Sequence, residues 1–67
     1  MIELTINGTP RQFPGPLTVA QLVDELTLAG KRIAIERNGD IVPRSQFTET
    51  PLAHGDQLEI VVAVGGG

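Results

Sequence analysis

Leu17-Thr18-Val19-Ala20-Gln21-Leu22-Val23-Asp24-Glu25-Leu26 is the stretch on which the fold turns. Val19, Leu22, Val23 and Leu26 fall at i, i+3, i+4 and i+7, the apolar stripe of a helix whose other face carries Gln21, Asp24 and Glu25. Thr18 stands three residues before Gln21, so hydroxyl and amide can each satisfy the other's backbone N–H as a capping box. Leu17 and Leu22 are spaced as a hydrophobic staple. Pro14-Gly15-Pro16 breaks regular structure ahead of the helix, and Gly30 predicts its stop.

Outward from this helix, both flanks read as strands. Ile2, Leu4 and Ile6 alternate with Glu3, Thr5 and Asn7; Asn7-Gly8 supplies a turn, and Arg11-Gln12-Phe13 a short return strand. After the helix, Ile33 and Ile35 bracket Ala34, Asn38-Gly39 is a second turn, and Ile41-Val42 resumes extended structure before Pro43. Ser45 to Ala53 has mixed polarity and reads as a loop with one helical turn, followed by a turn at His54-Gly55-Asp56. Leu58, Ile60 and Val62 alternate with Glu59, Val61 and Ala63, and the second set becomes apolar toward its end, as in a strand with neighbours on both edges. The order strand, strand, helix, strand, strand, strand gives an α+β chain with a small mixed sheet of about five strands and one helix on one face, the β-grasp arrangement. The expected core is Leu4, Ile6, Leu22, Val23, Leu26, Ile35, Leu58 and Ile60. Residues 1–64 form the domain, and 65–67 a flexible glycine tail.

A chain of 67 residues holds one small domain and has no room for a large cleft, which disfavours an enzyme acting alone. It has no Cys, hence no disulfide, redox pair or Cys-based zinc site. The longest apolar run, Ile60 to Val64, is far short of the ~20 residues that cross a bilayer. Met1-Ile2-Glu3 opens no secretory signal. These features point to a cytoplasmic chain without a membrane partner. A net charge of −3 repels phosphate backbones, and two Phe without Trp or Tyr provide no platform for stacking bases, so nucleic acid is not an expected partner.

The chemistry-bearing candidate is the end, Gly65-Gly66-Gly67. Consecutive glycines are costly to order, so the tail is expected to be mobile, and without Cβ atoms it can thread a narrow channel in another protein. The α-carboxylate of Gly67 is an anion at neutral pH, able to attack an activated phosphate; joined to AMP, its carbon becomes electrophilic toward sulfur or nitrogen. A frayed end or a linker is the competing reading. No phosphate-binding G-x-x-x-x-G-K-[ST] motif is present, so activation requires a partner enzyme, with no cofactor bound to this chain and no metal site expected. His54 reads as a solvated turn residue, Asp24 and Glu25 as a solvated helix face, Asp56 as the cap of its own turn, and Lys31-Arg32 as cations near a helix C-terminus.

Glu36-Arg37-Asn38-Gly39-Asp40-Ile41-Val42-Pro43-Arg44-Ser45, the His54-Gly55-Asp56 turn and the final strand running into Val64-Gly65-Gly66-Gly67 together resemble the ThiS family, sulfur carrier proteins of thiamin biosynthesis. The resemblance spans the chain. It implies that Gly67 is adenylated by a ThiF-like adenylyltransferase using Mg-ATP and is then converted to a thiocarboxylate with sulfur from a cysteine desulfurase. A ThiG-like thiazole synthase takes up that sulfur. Gly66 and Gly67 carry over directly, and Gly65 adds reach for tail recognition. The chain is then a protein cosubstrate, with catalytic residues supplied by its partners. Val61 and Ala63, on the sheet face opposite the helix, are expected partner contacts, unless both pack under the loop from Ser45 to Ala53. The alternatives are a molybdopterin-type sulfur carrier, a ubiquitin-like modifier ending in an isopeptide bond, and a β-grasp binding module with a dispensable end.

Overall fold

The computed structural model describes residues 1–63. Its elements are β1 (Ile2–Ile6), β2 (Thr9–Phe13), α1 (Val19–Glu25), β3 (Ile33–Arg37), β4 (Asp40–Val42), a 3-10 helix (Arg44–Glu49) and β5 (Gln57–Val62). The five strands form one sheet in the order β2-β1-β5-β3-β4, so the last strand is central, as its two-sided apolar pattern predicts. β1 and β5 run parallel and the other neighbours antiparallel, which makes the sheet mixed. With α1 covering one face, this is the β-grasp fold.

Both hairpins close through two-residue loops. Asn7 and Gly8 have φ of 50° and 83°, Asn38 and Gly39 have φ of 51° and 91°, and a type I′ turn needs positive φ at both positions. The helix begins as its sequence predicts: Thr18 Oγ1 accepts from Gln21 N–H at 3.2 Å, and Gln21 Oε1 accepts from Thr18 N–H at 2.8 Å. It stops earlier than Gly30. α1 ends at Glu25, Leu26 is its C-cap, and the next residue, Thr27, takes the left-handed conformation with φ of 60°. Thr27 N–H donates to Asp24 O and Leu28 N–H to Val23 O, the two bonds of a Schellman motif built without glycine. Gly30, with φ of 84°, shapes the following loop instead. Lys31 and Arg32 therefore lie beyond reach of the helix dipole; the Lys31 carbonyl accepts from Arg44 Nη2 at 2.8 Å.

The core comprises Leu4, Ile6, Leu22, Val23, Ile35, Leu58 and Ile60 together with Phe13, Val19, Val42, Phe47 and Leu52. Leu26 is a correction: the early helix stop leaves it half-buried at the margin. Phe47 and Leu52 come from the stretch read as a loop. The segment forms two turns of 3-10 helix and then runs beside the entry to α1, with Val19 N–H donating to Thr50 O and Leu52 N–H to Leu17 O, both at 2.9 Å. It acts as a second lid on the helix side of the sheet, and its two large apolar residues fill the space the seven-residue helix leaves open.

Candidate functional site

The site is assembled around β5, the strand leading toward the glycine tail. Its start is clamped from both sides by the two Asn-Gly turns. Asn7 Oδ1 accepts from Ile60 N–H at 2.7 Å while Asn7 Nδ2 donates to Ile60 O at 3.0 Å, so one side-chain amide lengthens the β1–β5 ladder where the backbone of β1 has turned away. On the other edge Asn38 Oδ1 accepts from Gln57 N–H at 2.9 Å, and Asn38 Nδ2 donates to Asp56 Oδ1 at 3.1 Å.

Asp56 is the buried polar residue of this clamp, 7% exposed. Its Oδ2 accepts from Arg37 Nε and from Ala53 N–H, each at 2.8 Å. Burial alone would raise its pKa, but the Ala53 N–H, the Arg37 guanidinium and the Asn38 amide together outweigh it, and the carboxyl sits below its ordinary value. Asp56 does cap its own turn, and it also fastens β3 to the start of β5. His54 has a structural contact: its Nδ1 accepts from Glu3 N–H at 3.0 Å, while Gly55 N–H donates to Glu3 O at 2.8 Å.

The face of the sheet away from α1 is uncovered. Alternation from the buried Leu58 and Ile60 sets Glu59 and Val61 on this face, and Val61 is 63% exposed. Ala63 is exposed as well and donates its N–H to Arg32 O at 2.8 Å. Both expected partner contacts are therefore open to solvent, and the Ser45 to Ala53 segment lies on the opposite side, packed with the helix. Register brings further residues beside them. Ala34 pairs with Val61, Glu36 pairs with both Glu59 and Ile41, and Ile41 is 65% exposed. Ala34 and Ile41 were not singled out from the sequence. Period-two counting from the Asn38-Gly39 turn would have placed them on this face, but the pairing of Ala34 with Val61 and of Glu36 with Glu59 depends on the long-range β3–β5 register.

Gly65, Gly66 and Gly67, the residues on which adenylation, thiocarboxylate formation and tail recognition were placed, lie outside the described residues. No described helix is long and apolar enough to cross a membrane.

The chain is similar to known proteins over nearly its whole length. The ThiS family model matches residues 4–67. The thiazole synthase of Paramagnetospirillum magneticum is 42% identical over 66 residues, covering 98% of this chain but only 20% of that protein, so the chain spans about a fifth of this longer relative. The sulfur carrier protein ThiS of Bacillus subtilis is 36% identical over 50 residues, 75% of this chain and 76% of that one. The crystal structure of the thiamine biosynthesis protein ThiS from Geobacter metallireducens superposes with a TM-score of 0.84 at 33% identity, covering 98% of this chain and all of that one. With the family model running through the β-grasp core into the three glycines, the chain belongs to the ThiS family, the sulfur carriers of thiamine biosynthesis.

Proposed function

We propose that this chain carries sulfur on the carboxyl group of Gly67 and delivers it for formation of the thiamin thiazole. The observation that carries this reading is the family match that continues to residue 67 and so includes Gly65-Gly66-Gly67. In a ThiF-like partner, a Gly67 carboxylate oxygen attacks the α-phosphorus of Mg-ATP and pyrophosphate leaves. The terminal sulfur of a persulfide fed by a cysteine desulfurase then attacks the acyl carbon and AMP departs, leaving an acyl disulfide; a thiol attacks the inner sulfur of that S–S bond, so that a new disulfide forms and the thiocarboxylate is released. The chain's own part is to hold β5 rigidly, through Asn7, Asn38 and Asp56, and to present the glycines beyond it. A ThiG-like thiazole synthase is the proposed acceptor, supported by the long thiazole synthase relative that contains a segment similar to this chain.

The test uses the chain with an adenylating partner, Mg-ATP and a sulfur donor, read by intact mass. The mass should rise by the difference between sulfur and oxygen. Deleting Gly66-Gly67, or adding one residue after Gly67, should abolish that gain while leaving the melting temperature unchanged. A gain that survives both changes refutes the assignment to Gly67. Lysine-linked adducts on other proteins, with no thiazole formed, would replace the carrier with a modifier.

A further inference from the structure

Glu36 and Glu59 stand directly opposite each other on the uncovered face of the sheet. Opposed like charges weaken a strand pair, and among the described residues no cation is ion-paired with either glutamate. Among the described residues the one ion pair joins Arg37 to Asp56. Arg44 donates to the Lys31 carbonyl, Lys31 and Arg32 precede β3, and Arg11 pairs with Leu4, whose side chain enters the core on the helix side. The two glutamates border a hollow of about 280 Å³ between the Asn-Gly turns, lined also by Thr5, Asn38 and Gln57. Further along β5, exposed Val61 and Ala34 lie side by side, with Ile41 next to Glu36.

We propose that this face is a docking surface for a protein partner that inserts an arginine side chain into the hollow between Glu36 and Glu59. The same partner lays an apolar side chain over Ala34, Ile41 and Val61. A planar guanidinium can bridge two carboxylates that face each other, relieving the repulsion the free chain retains. A second copy does not fit, since a two-fold contact through this face would set glutamates against glutamates. Phosphate-rich surfaces of nucleic acid or anionic lipid are repelled for the same reason. Val61 and its β3 neighbour Ala34 lie at the end of β5 nearest Ala63, with Ile41 on β4 at the level of Glu36 and Glu59.

This inference rests on the carrier reading, because the probe is a ThiF-like adenylyltransferase from the same genome. Affinity is measured at low and high salt for the wild-type chain, for the double variant Glu36→Gln/Glu59→Gln, and for Ile41→Ser/Val61→Ser, with adenylate formation followed by mass in parallel. The glutamine pair should bind about tenfold or more weakly and lose most of the salt dependence. Its melting temperature should equal or exceed wild type, since a repulsion has been removed. The serine pair should weaken binding with the salt dependence kept. Wild-type affinity and salt response in the glutamine pair overturn the docking surface, as does a clear loss of melting temperature, which would make the glutamates structural. Normal docking defects with adenylate formed on the wild-type chain support it. A wild-type chain that neither docks nor gains adenylate overturns the docking surface and the carrier reading together, whereas adenylation indifferent to both variants overturns the surface alone.

Discussion

Replacing Asp56 by Asn tests whether the clamp at the start of β5 works as its geometry implies. The carboxylate takes three hydrogen bonds, from Arg37 Nε and Ala53 N–H on Oδ2 and from Asn38 Nδ2 on Oδ1. An asparagine keeping its oxygen at the Oδ2 position would turn its own NH₂ toward the Asn38 NH₂, donor against donor. Asn38 cannot flip to accommodate this, because its Oδ1 accepts from Gln57 N–H. At least one buried donor is left unpaired and the charge on the Arg37 bond is lost, which costs about 1–3 kcal/mol. Asp56→Ala strips all three donors and should cost about 3–5 kcal/mol. A domain of this size has roughly 3–10 kcal/mol of stability, so the alanine variant should lose about half of it or more, and the asparagine variant a smaller, measurable part. With neither Trp nor Tyr in the chain, urea unfolding is followed by far-ultraviolet circular dichroism. The pH dependence separates charge from packing. The folded-state pKa of Asp56 lies below 3.8, so its stabilisation is complete above that ordinary value and is lost as pH falls through the lower folded value. The wild-type advantage over Asp56→Asn should therefore shrink on acidification, from about pH 5 downward. An asparagine variant as stable as wild type at neutral pH, or an advantage that persists undiminished in acid, would refute the reasoning.

Thr27→Gly should stabilise by about 1 kcal/mol, raising the melting temperature by roughly 4–8 °C, because a β-branched residue now occupies a left-handed position that glycine adopts freely. Asn7→Gly keeps the turn conformation but deletes both bonds to Ile60, and urea unfolding should show a loss of about 1–2 kcal/mol. Leu22→Ala and Leu58→Ala open cavities at sites 0% and 2% exposed and should each cost about 2–5 kcal/mol; unchanged melting for both would contradict the helix face and the strand register.

What could be read from the sequence divides along a physical line. The capping box, both I′ turns and the order of elements are local signals, each decided by residues within a few positions, and all of them are present in the structure. The end of α1 is not legible in the sequence because Gly30 is the conspicuous stop, whereas the helix closes at Leu26 with the left-handed residue supplied by Thr27, a residue type that carries no stop signal. Phe47 and Leu52 were missed because a 3-10 helix has neither the period of a strand nor enough length to show that of an α-helix. Asp56 showed as a turn cap, but its bonds to Arg37 and Asn38 span 19 and 18 residues and leave no trace in spacing.

The run that carries most of the family resemblance, Asn38 to Arg44, is largely scaffold, with Ile41 alone placed on the proposed docking face. Asn38-Gly39 makes the β3–β4 turn and bolts β5, Val42 fills the core, Pro43 opens the 3-10 helix, and Arg44 ties that helix to the loop before β3. None of these residues presents a reactive group, which is consistent with chemistry that needs only a carboxylate at the end of a chain. On the proposed carrier reading the fold supplies position and the partner supplies catalysis, so selection for sulfur transfer would act on two places: the glycines offered to the partner and the face proposed to meet it. The core would tolerate exchange with any β-grasp of equal stability. The glycine tail and the face bearing Glu36, Glu59 and Val61 would not. Grafting Glu36, Ile41, Glu59, Val61 and the glycine tail onto an unrelated β-grasp scaffold should therefore confer docking to the adenylating enzyme, and a graft of the Asn38 to Arg44 run alone should not.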